Sequence, residues 1–260
     1  MRALLKIYWV RRLFVALYNL FVKNPAQKEI NTIPLAGNPD LILKEVEEKG
    51  FSSVFNLNPQ LLTDLIADCR THSCVAEENT QKVVKIDVDK PVNPDETYIK
   101  YLFKDAVSWP SVRNIIYNAS MLKVAGNYLG NQPVVQNVAI WWSFPKQESM
   151  KTNIYNFHYD IDNLKFIKLF TYLTDVDANN GPHIIYPGTH KHKTLMQKRY
   201  RSVPDEKVSE VLGDTKPVVM TGGSGTSFFE DTFSYHKGLN PIRPRLIFQV
   251  EYSLTHTKLG

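Results

Sequence analysis

The second half of the chain is divided into short apolar segments, each ended by a turn, and this division restricts the fold more than any other feature. The segments are rich in Val, Ile, Phe, Tyr and Trp, and Gly, Pro, Asn or Asp bounds each of them. They cover residues 133–144, 165–173, 183–186, 225–229 and 246–252. Short strands at such intervals are typical of a β-sandwich or a β-barrel.

The first half of the chain has helical periodicity instead. Apolar residues recur at spacings of three and four in 41–46 and 61–66, and a further helix is predicted over 112–128. Asn38, followed by Pro39 and Asp40, is typical of a capped helix start. Gly50 then fits the C-terminal cap of the same helix.

Together the two halves predict a mainly β fold with flanking helices. The 260 residues are 43% apolar, enough for a large core, and no Gly/Ser-rich or Pro-rich linker divides the chain. We therefore expect one domain over 1–260, with a helical flank in 1–130 and a β core in 131–260. Residues 83–88 alternate well enough to form a strand within the flank.

Charge and cysteine content favour a cytoplasmic protein that does not bind nucleic acid. The net charge is +5, but the basic residues are scattered and no run of Lys or Arg follows one helix face. The two cysteines, Cys69 and Cys74, occur where a helix is predicted and lack the spacing of a zinc site. They are expected to be free thiols in a reducing compartment.

The N-terminal segment is apolar nearly all round, with Arg2, Lys6, Arg11 and Arg12 interspersed. Its uninterrupted apolar run is about half the length that a membrane-spanning helix requires. Two interpretations remain. Residues 1–23 form either a helix packed on the domain or an interfacial helix that makes peripheral contact with a membrane.

A candidate metal site begins with Phe157-His158-Tyr159-Asp160. In a strand, residues two apart point to one face, so His158 and Asp160 can offer an imidazole and a carboxylate side by side. A capped turn beginning at Asp160 would explain the pattern as well. A later apolar strand runs towards His236, a third candidate ligand. Two histidines and one carboxylate leave positions open on an iron for a 2-oxo acid and O2.

Residues 158–191 and 225–249 resemble the phytanoyl-CoA dioxygenase-like family of oxygenases. The shared features are the His-x-Asp pair, the strand end YLTDVD, the turn NGP, the loop PGTHK and a segment GT…D…HxG before an arginine. The resemblance covers about residues 130–253, roughly half of the chain.

The resemblance implies a double-stranded β-helix, the jelly roll of cupin-like proteins, with Fe(II) held by His158, Asp160 and His236. It also implies 2-oxoglutarate as the co-substrate that reacts with O2. Arg245 then corresponds to the arginine that binds the distal carboxylate of 2-oxoglutarate, and Arg243, two residues earlier, is the alternative.

Two further positions bear on the co-substrate. Lys168 lies in the middle of the apolar segment 166–170, where an unpaired ammonium is costly to bury. Its side chain either reaches the barrel rim or meets an anion inside, and the resemblance favours a carboxylate of 2-oxoglutarate. Gly238 stands where many family members have a hydroxyl residue two positions after the distal histidine.

Other aromatic and histidine residues have less specific interpretations. Trp142 and Phe157, with Trp141, flank the expected metal site and could contact a substrate or belong to the core. His183, His190 and His192 lie around turns, where a structural or surface role is expected.

These features predict a 2-oxoglutarate-dependent non-haem iron dioxygenase that acts on a small-molecule or lipid-like substrate and releases succinate and CO2. Because Asp160 fills the third ligand position, hydroxylation, or a related desaturation or cyclisation, is favoured over halogenation. The alternative is a jelly-roll binding protein without catalysis, with membrane association as an additional property.

Overall fold

The computed structural model of the chain describes residues 2–145 and 156–257. The strands of these regions are β1 (Phe55–Asn56), β2 (Cys74–Ala76), β3 (Val83–Val84), β4 (Lys100–Phe103), β5 (Val134–Ser143), β6 (Phe157–His158), β7 (Phe166–Tyr172), β8 (His183–Ile185), β9 (Ser202–Val203), β10 (Val218–Met220), β11 (Thr226–Glu230), β12 (His236–Gly238) and β13 (Arg245–Ser253). The helices are α1 (Arg2–Leu5), α2 (Tyr8–Phe21), α3 (Pro39–Lys49), α4 (Pro59–Thr71), α5 (Pro110–Ile116), α6 (Ala119–Leu129), α7 (Leu195–Arg199) and α8 (Val208–Leu212).

The strands form two antiparallel sheets. The larger has the order β1-β11-β7-β13-β5-β4-β2-β3, and the smaller has the order β10-β8-β12-β6-β9. Apolar side chains from both sheets meet in one cluster, which includes Phe170, Phe228 and Ile247 from the larger sheet and Ile185 and Met220 from the smaller. The two sheets therefore enclose a shared interior, as predicted for a jelly roll.

Strand β7 shows how the larger sheet divides its side chains between two environments. Ile167 and Leu169 belong to the main core, which the helices cover, whereas Lys168, Phe170 and Tyr172 line the space between the sheets. All seven residues of this strand are buried. Because both faces of β7 are covered, apolar residues occupy both faces, and Lys168 and Thr171 are the polar exceptions.

The helices of the N-terminal half cover the outer face of the larger sheet. Leu61 and Leu65 of α4 and Met121 and Ala125 of α6 join the same cluster as Phe248 of β13. Helix α3 begins at the cap predicted from sequence, where the Asn38 side chain accepts from the backbone N–H of Asp40, and it ends at Gly50, which has a φ of 93°.

The five strand segments predicted in the second half of the chain are confirmed as β5, β7, β8, β11 and β13. The prediction of a single helix over 112–128 is wrong, because the helix is interrupted between α5 and α6. Asn118 caps the start of α6, where its side chain accepts from the N–H groups of Ser120 and Met121. The strand predicted over 83–88 forms a hydrogen-bonded strand only at β3.

The N-terminal half also contributes strands, so the division at residue 130 is less sharp than the sequence predicts. Strands β1 to β4 all join the larger sheet, with β1 beside β11 and β4 beside β5. Cys74 lies in β2 rather than in a helix, and both Cys69 and Cys74 are buried free thiols. Within the described residues, no helix is long and apolar enough to cross a bilayer.

Candidate functional site

The candidate metal site is formed by neighbouring strands of the smaller sheet. His158 of β6 and His236 of β12 are paired residues of adjacent antiparallel strands, and their ring centres lie 4.5 Å apart. Asp160 follows β6, and its backbone N–H donates to the carbonyl of Thr232 at 2.8 Å. The three side chains each offer one ligand atom, and these atoms lie within 4.8 Å of one another.

Backbone carbonyls fix which nitrogen of each histidine is available. Nδ1 of His158 lies 3.0 Å from the carbonyl oxygen of Asn156, and Nδ1 of His236 lies 3.0 Å from that of Ser234. A carbonyl can only accept, so Nδ1 carries the proton and Nε2 keeps its lone pair. Burial lowers the pKa of His236 to about 4, which keeps this imidazole neutral as a metal ligand must be.

Lys168 joins the site through the protein's own carboxylates. Its ammonium donates to Asp160 at 2.8 Å and to Asp162 at 3.0 Å, and it lies 3.6 Å from Glu251. Burial would raise the pKa of Asp160, but the charge of Lys168, with smaller effects of the two histidines, holds it well below its usual range. Lys168 also lines the cavity of the site, so its predicted contact with 2-oxoglutarate stays a prediction, although three carboxylates of the protein already surround this ammonium.

A buried pair of His183 and Glu230 lies behind the candidate ligands and was not predicted from sequence. Nε2 of His183 lies 2.7 Å from Oε2 of Glu230, and Oε1 of the same carboxylate lies 3.7 Å from Nδ1 of His236. Burial raises the pKa of Glu230 to about 7 and lowers that of His183 to about 3. The one signal in the sequence is an acidic residue at the end of the apolar strand β11.

A cavity of about 250 Å³ opens above the metal site and contains Arg245 in its wall. Arg245 is the first residue of β13, only 7% exposed, and its Nη2 lies 3.5 Å from Oγ of Ser143. Gly181, with a φ of 65°, makes room for it, because a Cβ at that position would lie 2.8 Å from Nη1 of Arg245. Tyr172 and Ile247 line the same part of the cavity.

Arg243 and the two predicted substrate residues lie outside this cavity. Arg243 is exposed and pairs with Asp177 at 2.5 Å, so its guanidinium is directed to the surface. Trp142 is fully buried in the main core, because strand alternation turns Trp141 rather than Trp142 towards the cavity. Phe157 is buried against Tyr186, with ring centres 4.8 Å apart. The structure thus corrects the predicted substrate contacts.

The outer part of the cavity is partly apolar and partly charged. Lys100 bonds to Glu77 at 2.6 Å, and its ammonium lies 5.2 Å from the ring centre of Trp141. Glu78 and Gly238 also line the cavity. A side chain at Gly238 would meet no atom within 4 Å, so this glycine leaves the space beside His236 open.

Comparison with known proteins shows the fold. No family model and no curated protein sequence matches the chain. Similar solved structures include the non-heme alpha ketoglutarate dependent epimerase SnoN from nogalamycin biosynthesis, with a TM-score of 0.60 and 13% identity over 82% of each chain. EctD from S. alaskensis, solved with 2-oxoglutarate and 5-hydroxyectoine, has a TM-score of 0.57 and 15% identity over 89% of this chain and 82% of its own.

A third similar structure is AviO1 from Streptomyces viridochromogenes Tue57, with a TM-score of 0.53 and 15% identity over 83% of this chain and 94% of its own. SnoN has also been solved in complex with Fe3+ and alpha ketoglutarate. At these identities the likeness establishes a shared jelly-roll architecture, whereas the function has to be argued from the site.

Proposed function

We propose that the protein is an Fe(II)- and 2-oxoglutarate-dependent dioxygenase. The observation that carries the proposal is the cluster of His158, Asp160 and His236 in one cavity with the buried Arg245. Two neutral imidazoles and one carboxylate are the donor set that non-haem Fe(II) prefers in oxygenases, and they leave coordination positions open. Iron and 2-oxoglutarate, when bound, supply the oxidising power that inserts oxygen from O2 into a C–H bond.

The residues around the cluster would orient and charge-balance these groups. Arg245 offers a planar guanidinium to the distal carboxylate of 2-oxoglutarate, the pairing for which arginine is better suited than lysine. Lys168 holds the Asp160 carboxylate in place and ionised. Phe170, Tyr172 and Ile247 exclude water from the same region, which strengthens these charge interactions.

The substrate we propose is a small molecule or a lipid-like compound, and the reaction is hydroxylation with release of succinate and CO2. A cavity of about 250 Å³ leaves room for a small group beside the metal position. Trp141, Ile99 and Leu239 give the cavity apolar walls, and the pair of Glu77 and Lys100 offers polar contacts at its outer part. Asp160 fills the ligand position that halogenation would need for a halide.

Anaerobic titration with Fe(II) and 2-oxoglutarate tests the proposal. The wild-type protein should develop the weak visible charge-transfer band of a 2-oxo acid bound to ferrous iron, and His158→Ala, Asp160→Ala and His236→Ala should each weaken or abolish it. His72→Ala is the matched control, because His72 is exposed at the end of α4. If the wild-type protein binds no iron, the dioxygenase proposal is wrong and the alternative, a jelly-roll binding protein without catalysis, takes its place.

A second proposal concerns residues 1–23, for which we infer peripheral membrane contact. The specific observation is an exposed apolar side of α2, on which Leu20 is 69% exposed and Phe21 77% exposed. Deletion of residues 1–23 should reduce co-sedimentation with vesicles and leave the iron titration unchanged. If the shortened protein is insoluble, the helix is instead required for the fold.

A further inference from the structure

Helix α2 packs on the protein with a mixed side, on which Arg11 and Asn19 accompany Val15 and Tyr18. Arg11 is the buried residue of this helix, with 7% of its surface exposed. Its guanidinium donates to the carbonyl of His190 at 2.9 Å and lies 3.9 Å from the ring centre of Phe233. The side-chain amide of Asn19 donates to the carbonyl of Leu129 at 3.0 Å. Polar contacts therefore hold much of this helix in place.

The opposite side of α2 is apolar and exposed. Trp9, Leu13, Leu17 and Leu20 share this side, because they follow at spacings of three and four, and they are 65%, 59%, 42% and 69% exposed. Phe21 lies beside them. A surface helix of a globular protein normally has polar residues on its exposed side. A continuous apolar surface of this kind marks contact with a membrane or another protein.

A basic cavity of about 400 Å³ runs along the flank of α2. Its charged lining consists of Arg11, Arg12, Lys165, Lys191 and one carboxylate, Glu47, which gives four positive charges against one negative, a formal charge of +3. Tyr8, Val15, Ala16, Tyr128 and His190 complete the lining. Because burial lowers the pKa of His190 to about 4, this histidine adds no charge.

Lys165 is a partly buried cation in the lining of this cavity. Its ammonium lies 4.4 Å from the ring centre of Tyr128, and no carboxylate in 2–145 or 156–257 comes within 4.0 Å of it. Burial lowers the pKa of Lys165, while the more distant Asp231 and Glu47 act in the opposite direction. An anion in the cavity would supply the missing negative charge.

Arg12 and Ala16 connect the basic cavity with the apolar side of α2. Both residues line the cavity and both are exposed. Ala16 is three residues from Leu13 and four from Leu20, so these side chains are neighbours on the helix surface. A bilayer that receives the apolar side would therefore bring its headgroups to the basic cavity.

We propose that α2 docks on an anionic phospholipid bilayer and that the basic cavity binds one lipid phosphate through Arg12, Lys165 and Lys191. Charge complementarity favours this occupant, because a neutral protein surface would leave the +3 lining unbalanced. The inference rests on the membrane contact proposed above and adds a requirement for negative charge to it.

The test is co-sedimentation of the full-length protein with vesicles of phosphatidylcholine alone or mixed with phosphatidylglycerol. Wild type should bind the vesicles that contain phosphatidylglycerol more tightly than those of phosphatidylcholine alone. This preference should become weaker as the salt concentration is raised. Arg12→Gln with Lys191→Gln should weaken this binding about 25-fold, that is, about fivefold for each cation removed. Lys44→Gln with Lys104→Gln is the matched control, because both lysines are exposed and lie outside the cavity.

A second double variant, Leu13→Ser with Leu17→Ser, separates the headgroup site from the membrane contact. It should lose binding to both kinds of vesicle while keeping the iron titration. Equal wild-type binding to both vesicles, with no loss in Arg12→Gln with Lys191→Gln, would overturn the headgroup site alone. Unchanged binding in the leucine variant would overturn both proposals.

Two other results would also overturn the docking proposal. In the first, inorganic phosphate raises the melting temperature of the protein but the protein does not sediment with vesicles. The ligand of the basic cavity would then be a soluble anion. The other is a dimer in light scattering that the Leu13→Ser, Leu17→Ser variant abolishes, again without vesicle binding. In that case a second copy of the chain covers the apolar side.

Discussion

Replacement of Lys168 by Met removes the positive charge at the centre of the candidate site while keeping a long side chain. The ammonium is buried and contacts Asp160, Asp162 and Glu251, of which Glu251 is 2% exposed. Breaking a buried ion pair from one side leaves an uncompensated charge and costs about 3–5 kcal/mol. We therefore expect Lys168→Met to lower the free energy of unfolding by about that amount at neutral pH.

Urea unfolding of the metal-free protein measures this change. Arg70→Met is the control, because Arg70 bonds to Asp89 at 2.8 Å but both side chains are exposed, and an exposed pair contributes about 0.2–1 kcal/mol. Fe(II) bound at Asp160 would replace part of the lost charge. Added Fe(II) should therefore stabilise Lys168→Met more than it stabilises wild type.

The pH dependence of the stability difference between wild type and Lys168→Met is a second test of the prediction. The pKa of Asp160 is lowered in the folded protein, so the stability that this carboxylate contributes is present above its unfolded pKa of about 3.9 and is lost as the pH falls below it. The difference in unfolding free energy between wild type and Lys168→Met should therefore become smaller as the pH falls. A difference under about 1 kcal/mol at neutral pH, or one that grows in acid, would refute the role assigned to Lys168.

Three further predictions concern the cavity and the core. Arg245→Ala should raise the 2-oxoglutarate concentration needed for half-maximal turnover by about 100-fold, as expected for loss of a buried charge partner worth about 3 kcal/mol, whereas Arg243→Ala should leave it unchanged. Trp142→Ala should lower the unfolding free energy by about 3–5 kcal/mol in a thermal or urea melt, and Trp141→Ala should instead raise the KM for substrate. Burial raises the pKa of Cys74 to about 12, so this thiol should react with a thiol reagent only after unfolding.

The site shows how a mainly apolar interior accommodates several charges. Lys168 and Glu230 are paired residues of the neighbouring strands β7 and β11, and Glu251 of β13 pairs with Lys168 on the other side. The charged groups thus lie side by side across three adjacent strands. This arrangement places the Lys168 ammonium beside Asp160 and the Glu230 carboxylate beside His236.

The sequence by itself determined five strand segments of the β core and singled out the residues of the candidate metal cluster. Strand composition and turn residues are local, so the limits of β5, β7, β8, β11 and β13 were predictable to within one or two positions. The spacing of His158 and Asp160 reflects the two-residue period of an extended chain. His236 was recognisable from its place between an apolar strand and a glycine, together with the family resemblance.

Only the tertiary structure decided which side of each strand faces the cavity. Apolar side chains stand on both sides of β5 and β7, so the alternation that would separate Trp141 from Trp142 is not visible in the sequence.

The contact of Lys168 with Glu251 depends on strand pairing between residues far apart in the chain. The pair of His183 and Glu230 depends on how the two sheets face each other, because the two residues belong to different sheets. The orientation of α2 likewise depends on long-range contacts, among them the hydrogen bond from Arg11 to the carbonyl of His190, which is 179 positions away.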